Sequence, residues 1–458
     1  MLKTRKWNWA LLPVIWTLAW PTMLEQLLQT SVQYIDTAMV GALGTAATAA
    51  VGATSTLNWL INGTIAALGV GFLAYISKAS GAGDQKRISK AAAQTVLAVL
   101  VCGAVFTALT LGLSGVIPAW MQVEKDIQPL ASRYFFILYL PMLPRTATIL
   151  FGTALRAVGD TKTPMRISLG MNMVNVVLNF FLIFPTRAVT LFGQTITLPG
   201  AGLEVEGAAI ASAVAFVLGG VGMTVSFWHH KVLRPGKEKI CPDWQVLKPC
   251  LKVAFPNMLQ RFGTSLGYVV FATMINALGE VATAAHTIAN TVESAFYIPG
   301  YGMQTAAATL AGNAYGAKDK QRMQDLPKLF LLVEIGLMLL SGGLLFAFAP
   351  NLVSIFSKEA AVISLGATVL RMVAVTEPFY GVGIIVQGLL QGVGDTKTPF
   401  VFDLCTMWGV RIVGTFVCTV LLPLGLISAW GCMIGHNLVL FALLLRHYLK
   451  GKWNPLNA

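Results

Sequence analysis

Apolar stretches long enough to cross a bilayer recur along the whole chain, at 13–40, 46–76, 90–117, 128–157, 163–185, 206–229, 246–275, 281–311, 325–350, 360–391, 398–422 and 424–447. Helix needs about 20 apolar residues to cross the hydrocarbon core. Backbone polar groups at that depth must find their partners inside the protein. The runs are continuous rather than alternating, which predicts helices and not barrel strands. Composition points the same way. Of 458 residues, 56% are apolar and only 11% charged, whereas a soluble domain is about 25% charged. That is too little charge to coat a soluble surface, which sets aside a cytosolic enzyme, a disordered scaffold and a secreted disulfide protein. The expected fold is an all-α membrane protein with twelve transmembrane helices.

Basic residues sort between the loops. One side takes Lys3, Arg5 and Lys6, the loops around Lys86, Lys162, Lys239, Lys320 and Lys397, and the C-terminal Arg446, Lys450 and Lys452. The other side has Lys125, Arg133, Arg187 and Lys358, while Arg145, Arg261, Arg371 and Arg411 fall within spans. The positive-inside rule then puts both termini in the cytoplasm, as an even number of spans requires. The net charge of +13 is read as attraction to anionic lipid of the inner (plasma) membrane, not to nucleic acid. Thr17-Leu18-Ala19 offers no small-residue pair for signal cleavage, so the first span is kept. The six cysteines form no CxxC or zinc spacing and are expected to be reduced thiols. No metal motif is present.

The sequence repeats at a shift of 235 residues: Pro21 and Met23 match Pro256 and Met258, Ala42-Leu43-Gly44 matches Ala277-Leu278-Gly279, and Gly159–Pro164 matches Gly394–Pro399 at every position. Each unit holds six spans, so the halves share one orientation, a parallel repeat about an axis along the membrane normal. The expected lobes are 1–230 and 249–458, joined by a cytoplasmic linker at 231–248. Val189 to Leu198 alternates around Gly193-Gln194, the pattern of a short hairpin. The GDTKTP turns lack Walker order. Thr163 and Thr398 are expected to cap helices beginning at Pro164 and Pro399. Pro21 and Pro256 are expected to kink the first and seventh helices.

Ionisable and amide side chains inside spans are costly and tend to be functional. The first helix carries Glu25, Gln29, Gln33 and Asp36 on one stripe. The second carries Thr54, Asn58 and Asn62, the fifth Ser168, Asn172, Asn175 and Asn179, and the sixth Ser212. Helix direction puts Asp36, Thr54, Asn58, Asn175, Asn179 and Ser212 at similar height in the outer half. Either this is interhelical glue, or Asp36, with no basic partner in view, carries a proton. Gln33, Tyr34, Thr54, Asn58, Tyr139, Met171 and Asn172 are candidates to line a substrate pocket. In the second half the matching helix has lost its acid. His286, Asn290 and Glu293, with Glu377 and Arg411, form a polar set there, read as a paired structural network or as a ligand site.

Tyr34-Ile35-Asp36 with its following Thr-Ala-Met-Val-Gly, Ala285-His286-Thr287-Ile288 and the paired Val-Gly-Asp-Thr-Lys-Thr-Pro turns resemble the multidrug and toxic compound extrusion (MATE) transporters, in particular the DinF-like branch. The resemblance covers residues 13–447. It implies two six-helix lobes and efflux of cationic or amphipathic organic compounds, driven by inward proton or sodium flow through a rocking motion. It implies that Asp36, Asn175, Asn179 and Ser212 form the coupling site. Relatives often carry aspartate where this chain has Asn179, and one charge fewer weakens a sodium site of hard oxygens, so protons are expected over sodium. No cofactor, enzymatic activity or nucleic-acid partner is expected, and the chain is expected to act as a monomer in lipid. The rival reading is a flippase for a lipid-linked intermediate, which requires a cationic cavity.

Overall fold

The computed structural model describes residues 8–121, 123–191, 194–236 and 238–457. The N-terminal Lys3, Arg5 and Lys6, and Gly193 of the expected hairpin turn, lie outside the described residues. The first six spans are α1 (Leu12–Gly41), α2 (Thr45–Gly81), α3 (Gln85–Leu113), the bent α4 (Gln128–Tyr139 with Met142–Ala157), α5 (Lys162–Leu182) and α6 (Glu204–His229). The second six are α7 (Trp244–Asn276), α8 (Glu280–Gly316), α9 (Lys320–Phe356), the bent α10 (Ala360–Ala374 with Glu377–Val393), α11 (Lys397–Leu421) and α12 (Gly425–Leu449).

Among the described residues, eight single helices and the two bent pairs are long and apolar enough to cross a membrane. α7 and α8, at 33 and 37 residues, have the length. Their internal Lys248, Lys252, His286, Asn290 and Glu293 make them more polar than the others. With these two, twelve helices or bent pairs among the described residues have the length of a span, the number the sequence predicts. Between α5 and α6 the expected hairpin forms from β1 (Pro185–Leu191) and β2 (Gln194–Ala201), antiparallel with Leu191 opposite Gln194. The six cysteines are free thiols.

One local expectation, the capping of the GDTKTP helices, changes. α1 and α7 run through Pro21 and Pro256 without a break in the helix, while bends of 50° and 54° break α4 and α10. These breaks fall just before or after prolines, at Pro141 and Glu377-Pro378, where a missing N–H and a restricted preceding residue end the ladder. The GDTKTP helices start earlier than Pro164 and Pro399. Their caps are aspartates: Thr163 N–H donates to Asp160 Oδ1 at 3.0 Å, and Thr398 N–H to Asp395 Oδ1 at 3.1 Å. A carboxylate is the stronger acceptor and favours the positive end of the helix dipole. Gly159 and Gly394 precede them at φ 92° and 90°, a left-handed conformation that glycine adopts without strain.

The chain packs as two units. One takes residues through Gln26, Leu73–Gln85 and Lys248 onward; the other takes Leu27–Phe72 and Lys86–Leu247. Packing therefore does not divide at residue 230. One end of α1 and one end of α2 belong with the second six helices, because small residues let the backbones meet there. Thr22 Oγ1 donates to the Gly302 carbonyl at 2.8 Å, and a side chain at Gly312 or Gly316 would strike Ser77 or the Lys78 carbonyl. The core of this unit joins Ile15, Leu18 and Ala19 of α1 to Met303, Ala307, Phe330, Ile385 and Leu389. In the other unit, the segment after α6 is tied back to α3. Gln94 donates to the Cys241 carbonyl at 2.7 Å and accepts from Asp243 N–H at 3.1 Å, while Lys90 pairs with Asp243 at 3.3 Å.

Candidate functional site

The polar stripes of α1 and α5 exist because a helical rise returns every third or fourth residue to one face. In the structure those faces meet. Asn179, fully buried, donates from Nδ2 to Asp36 Oδ1 at 2.5 Å and to Asn175 Oδ1 at 3.2 Å. Asn175 in turn donates to Ser212 Oγ on α6 at 3.0 Å. Thus Asp36, Asn179, Asn175 and Ser212 form one hydrogen-bonded chain across three helices. Asp36 is half-buried, and among the described residues no basic side chain forms an ion pair with it. Asn179 Oδ1 is buried with no partner. That orphan acceptor sits on the amide that already faces the carboxylate.

The expected pocket residues separate. Asn58 accepts from Tyr139 Oη at 3.1 Å and from the Arg145 guanidinium, whose Nε also donates to Asn62 Oδ1 at 3.1 Å. Arg145 lies over Phe216 at 4.5 Å and Tyr139 at 5.2 Å. Tyr139 is fully buried, so it supports Asn58 and Arg145 rather than presenting a free ring. The Thr54 hydroxyl turns back to the Val51 carbonyl at 2.8 Å, a local bond. Gln33 and Tyr34 are exposed on α1. Met171 packs where Gly219 leaves room. Asn172 is buried and its Nδ2 has no hydrogen-bond partner.

In the second half, Arg411 acts on Glu293 through charge at longer range, without a contact ion pair among the described residues. Arg411 lies in the wide π-helical turn Met407–Ile412, where the register departs from the ordinary 3.6. Its guanidinium sits over Phe271 at 4.1 Å and Tyr268 at 4.7 Å. Among the described residues no acid forms an ion pair with it. His286 meets the rings of Phe271 and Trp430 edge-on at 5.7 and 5.9 Å. Glu293 and Glu377 are buried, and neither oxygen of Glu377 has a hydrogen-bond partner. Asn290 is exposed. Glu334, fully buried on α9, also has both oxygens without partners; it lies against Gly300 and Gly381, where a larger residue would displace it.

Two residues outside the expected set stand at polar centres. Arg145 organises Asn58 and Asn62. Asp403 on α11 accepts from Gln260 Nε2 at 2.8 Å and Thr264 Oγ1 at 3.2 Å. The 235-residue shift carried the signal for Asp403, since it matches Ser168 of the α5 stripe. Among the described residues no cluster of His, Cys, Asp and Glu has the makings of a metal site.

Twelve long helices in a parallel repeat, with amides and a carboxylate hydrogen-bonded across α1, α5 and α6, have the form of a polytopic transporter. The MatE family model matches residues 21–181 and 256–417, two stretches that begin 235 residues apart, and the chain belongs to that family. It is 28% identical over 436 residues to the probable multidrug resistance protein NorM of Thermotoga maritima, covering 95% of this chain and 92% of that one. The multidrug resistance protein PmpM of Pseudomonas aeruginosa is 23% identical, covering 86% and 81%. Among solved structures, an outward-facing multidrug resistance MATE transporter superposes with a TM-score of 0.87 at 20% identity, covering 97% and 96%. A MOP superfamily transporter of Pyrococcus furiosus, described as having a binding pocket of reversed polarity that suggests a different function, gives 0.87 at 22% identity over both whole chains. The protein is therefore a multi-pass membrane transporter of this family.

Proposed function

We propose that the protein exports cationic or amphipathic organic compounds in exchange for protons, with both termini in the cytoplasm. The observation that carries this reading is the chain from Asp36 through Asn179 and Asn175 to Ser212. An ionised Asp36 accepts from Asn179. A protonated Asp36 is itself a donor, and the unpartnered Asn179 Oδ1 is the acceptor it needs once the amide rotates. One proton thereby reverses a hydrogen bond between α1 and α5 and relaxes the link to α6. Transport follows if drug and proton favour different arrangements of the two halves, since coupling requires differential affinity between states. The names of the relatives, multidrug resistance proteins, support an organic, chemically varied substrate.

Asn179 also favours protons over sodium. A hard cation prefers carboxylate and carbonyl oxygens, and here one carboxylate is joined by an amide that turns its nitrogen toward it. The flippase alternative, which the reversed-polarity relative keeps in view, needs free cationic groups to bind a phosphate. Arg145 is instead engaged by Asn58 and Asn62 and Arg411 by rings, which supports organic cations.

The test is ethidium efflux from proteoliposomes under separately imposed proton and sodium gradients. Asp36→Asn is expected to lower proton-driven efflux by more than about tenfold, equivalent to about 1.4 kcal/mol, at unchanged expression. Full efflux by that variant, or efflux driven by sodium alone in the native protein, refutes the proposal.

A further inference from the structure

The second six helices hold a carboxylate site that the Asp36 chain does not use. Asp403 is 8% exposed and His436 5% exposed. The two oxygens of Asp403 differ. Oδ2 accepts from Gln260 Nε2 at 2.8 Å and Thr264 Oγ1 at 3.2 Å, so two donors from α7 hold it. Oδ1 faces His436 Nε2 on α12 at 3.9 Å. Gln260 Nε2 also lies 3.2 Å from Gln387 Oε1 on α10. Three helices, α7, α11 and α12, therefore meet at the carboxylate, with α10 joined through Gln260, and the wide turn of α11 begins four residues on, at Met407. Such turns recur at functional sites.

The surroundings set what the site can bind. It meets Gln260 and Thr264 of α7 and His436 of α12, with Gln387 of α10 bonded to Gln260, while Tyr268 of α7, Tyr301 of α8 and Arg411 of α11 interact with the pair through charge. Asp403 is the acid that contacts this group and His436 the base, while Arg411 is turned to the Phe271 and Tyr268 rings. Among the described residues no cluster of His, Cys, Asp and Glu here has the makings of a metal site.

We propose that Asp403 and His436 form a second proton-carrying site, which takes up and releases one proton across the gap between α11 and α12. With the proton on the imidazole, the pair is an ion pair that draws α12 to α11. Without it, the carboxylate depends on the two α7 donors alone, and the hold on α12 is lost. This deepens the proton-coupled reading of transport and rests on it for its role, although the proton itself can be followed without transport.

The chain has five histidines, so 15N-histidine NMR of the whole protein in lipid nanodiscs resolves the site, with His436→Gln assigning the resonance. Asp403→Asn is expected to lower the His436 titration midpoint by about one pH unit or more, while Asp36→Asn leaves it unchanged. Gln260→Leu removes a donor from Asp403 without touching either titrating group, and is expected to raise the pH at which the pair gives up its proton. In proteoliposomes, His436→Gln is expected to shift the pH dependence of ethidium efflux, where Asp36→Asn abolishes efflux at every pH. A His436 midpoint unmoved by both Asp403→Asn and Gln260→Leu overturns the proposal, as does displacement of the proton by added sodium. If Asp36→Asn retains efflux while the His436 titration behaves as described, the reading of Asp36 fails and this site stands.

Discussion

At the scale of single residues, the group that contacts Asp36 is the amide of Asn179. An aspartate there would place two carboxylates on one hydrogen-bonded chain, a stronger site for a hard cation and a weaker match for one proton. Asn179→Asp is therefore expected to make ethidium efflux respond to a sodium gradient, raising apparent sodium affinity by about tenfold. Efflux that ignores sodium in this variant counts against the coupling geometry. Helical spacing and helix direction put Asp36, Asn175, Asn179 and Ser212 at one depth together with Thr54 and Asn58, and the resemblance, not the spacing, singled out the four. Arg145 was not legible, since a lone arginine in a span gives no hint that Asn58, Asn62 and an aromatic face will surround it. Asp403 was half legible: the repeat matches it to Ser168, but its two donors, Gln260 and Thr264, come from α7, a distant segment.

At the scale of elements, the paired turns do the same work in each half. Asp160 and Asp395 cap the helices that follow, and each faces a histidine at the end of the sixth helix of its half, His230 and His447, at 3.9 Å. Burial holds the His230 imidazole below the ordinary histidine value of 6.5, with the Asp160 carboxylate acting the other way. The folded protein then binds this proton less readily than the unfolded chain does. The contribution to stability is complete above about pH 6.5 and is lost as pH falls through the lower folded value. Hydrogen-exchange protection at the end of α6, corrected for the intrinsic rate at each pH, is expected to fall on acidification from about pH 7.5 to about pH 5.5, and His230→Gln is expected to flatten that response. An unchanged response in the variant excludes His230 as its source. Element positions were readable from the apolar runs, since every span buries apolar length. The caps were assigned to the wrong member of the turn, because Thr and Asp both cap and only geometry shows which oxygen reaches the amide.

For the whole molecule, the α2–α8 contact shows how glycine governs packing. Gly312 and Gly316 leave no room between α8 and Ser77 and Lys78 of α2, and Lys78 Nζ covers the Tyr315 ring at 4.1 Å. Gly312→Val is expected to destabilise this unit by about 1–3 kcal/mol through overpacking, read as a lower thermal midpoint in detergent. An unchanged midpoint means the helices separate freely there. By itself the sequence determined twelve spans, two similar halves and the stripe that carries Asp36. Hydrophobic length, internal repetition and helical periodicity are local properties, written in one dimension. The tertiary structure decided that one end of α1 and of α2 packs with the second half, that Arg411 lies over rings without a contact ion pair among the described residues, and that Asp403 faces His436. Those outcomes depend on which side chains from distant segments compete for the same space and the same donors, and a linear chain does not record that competition.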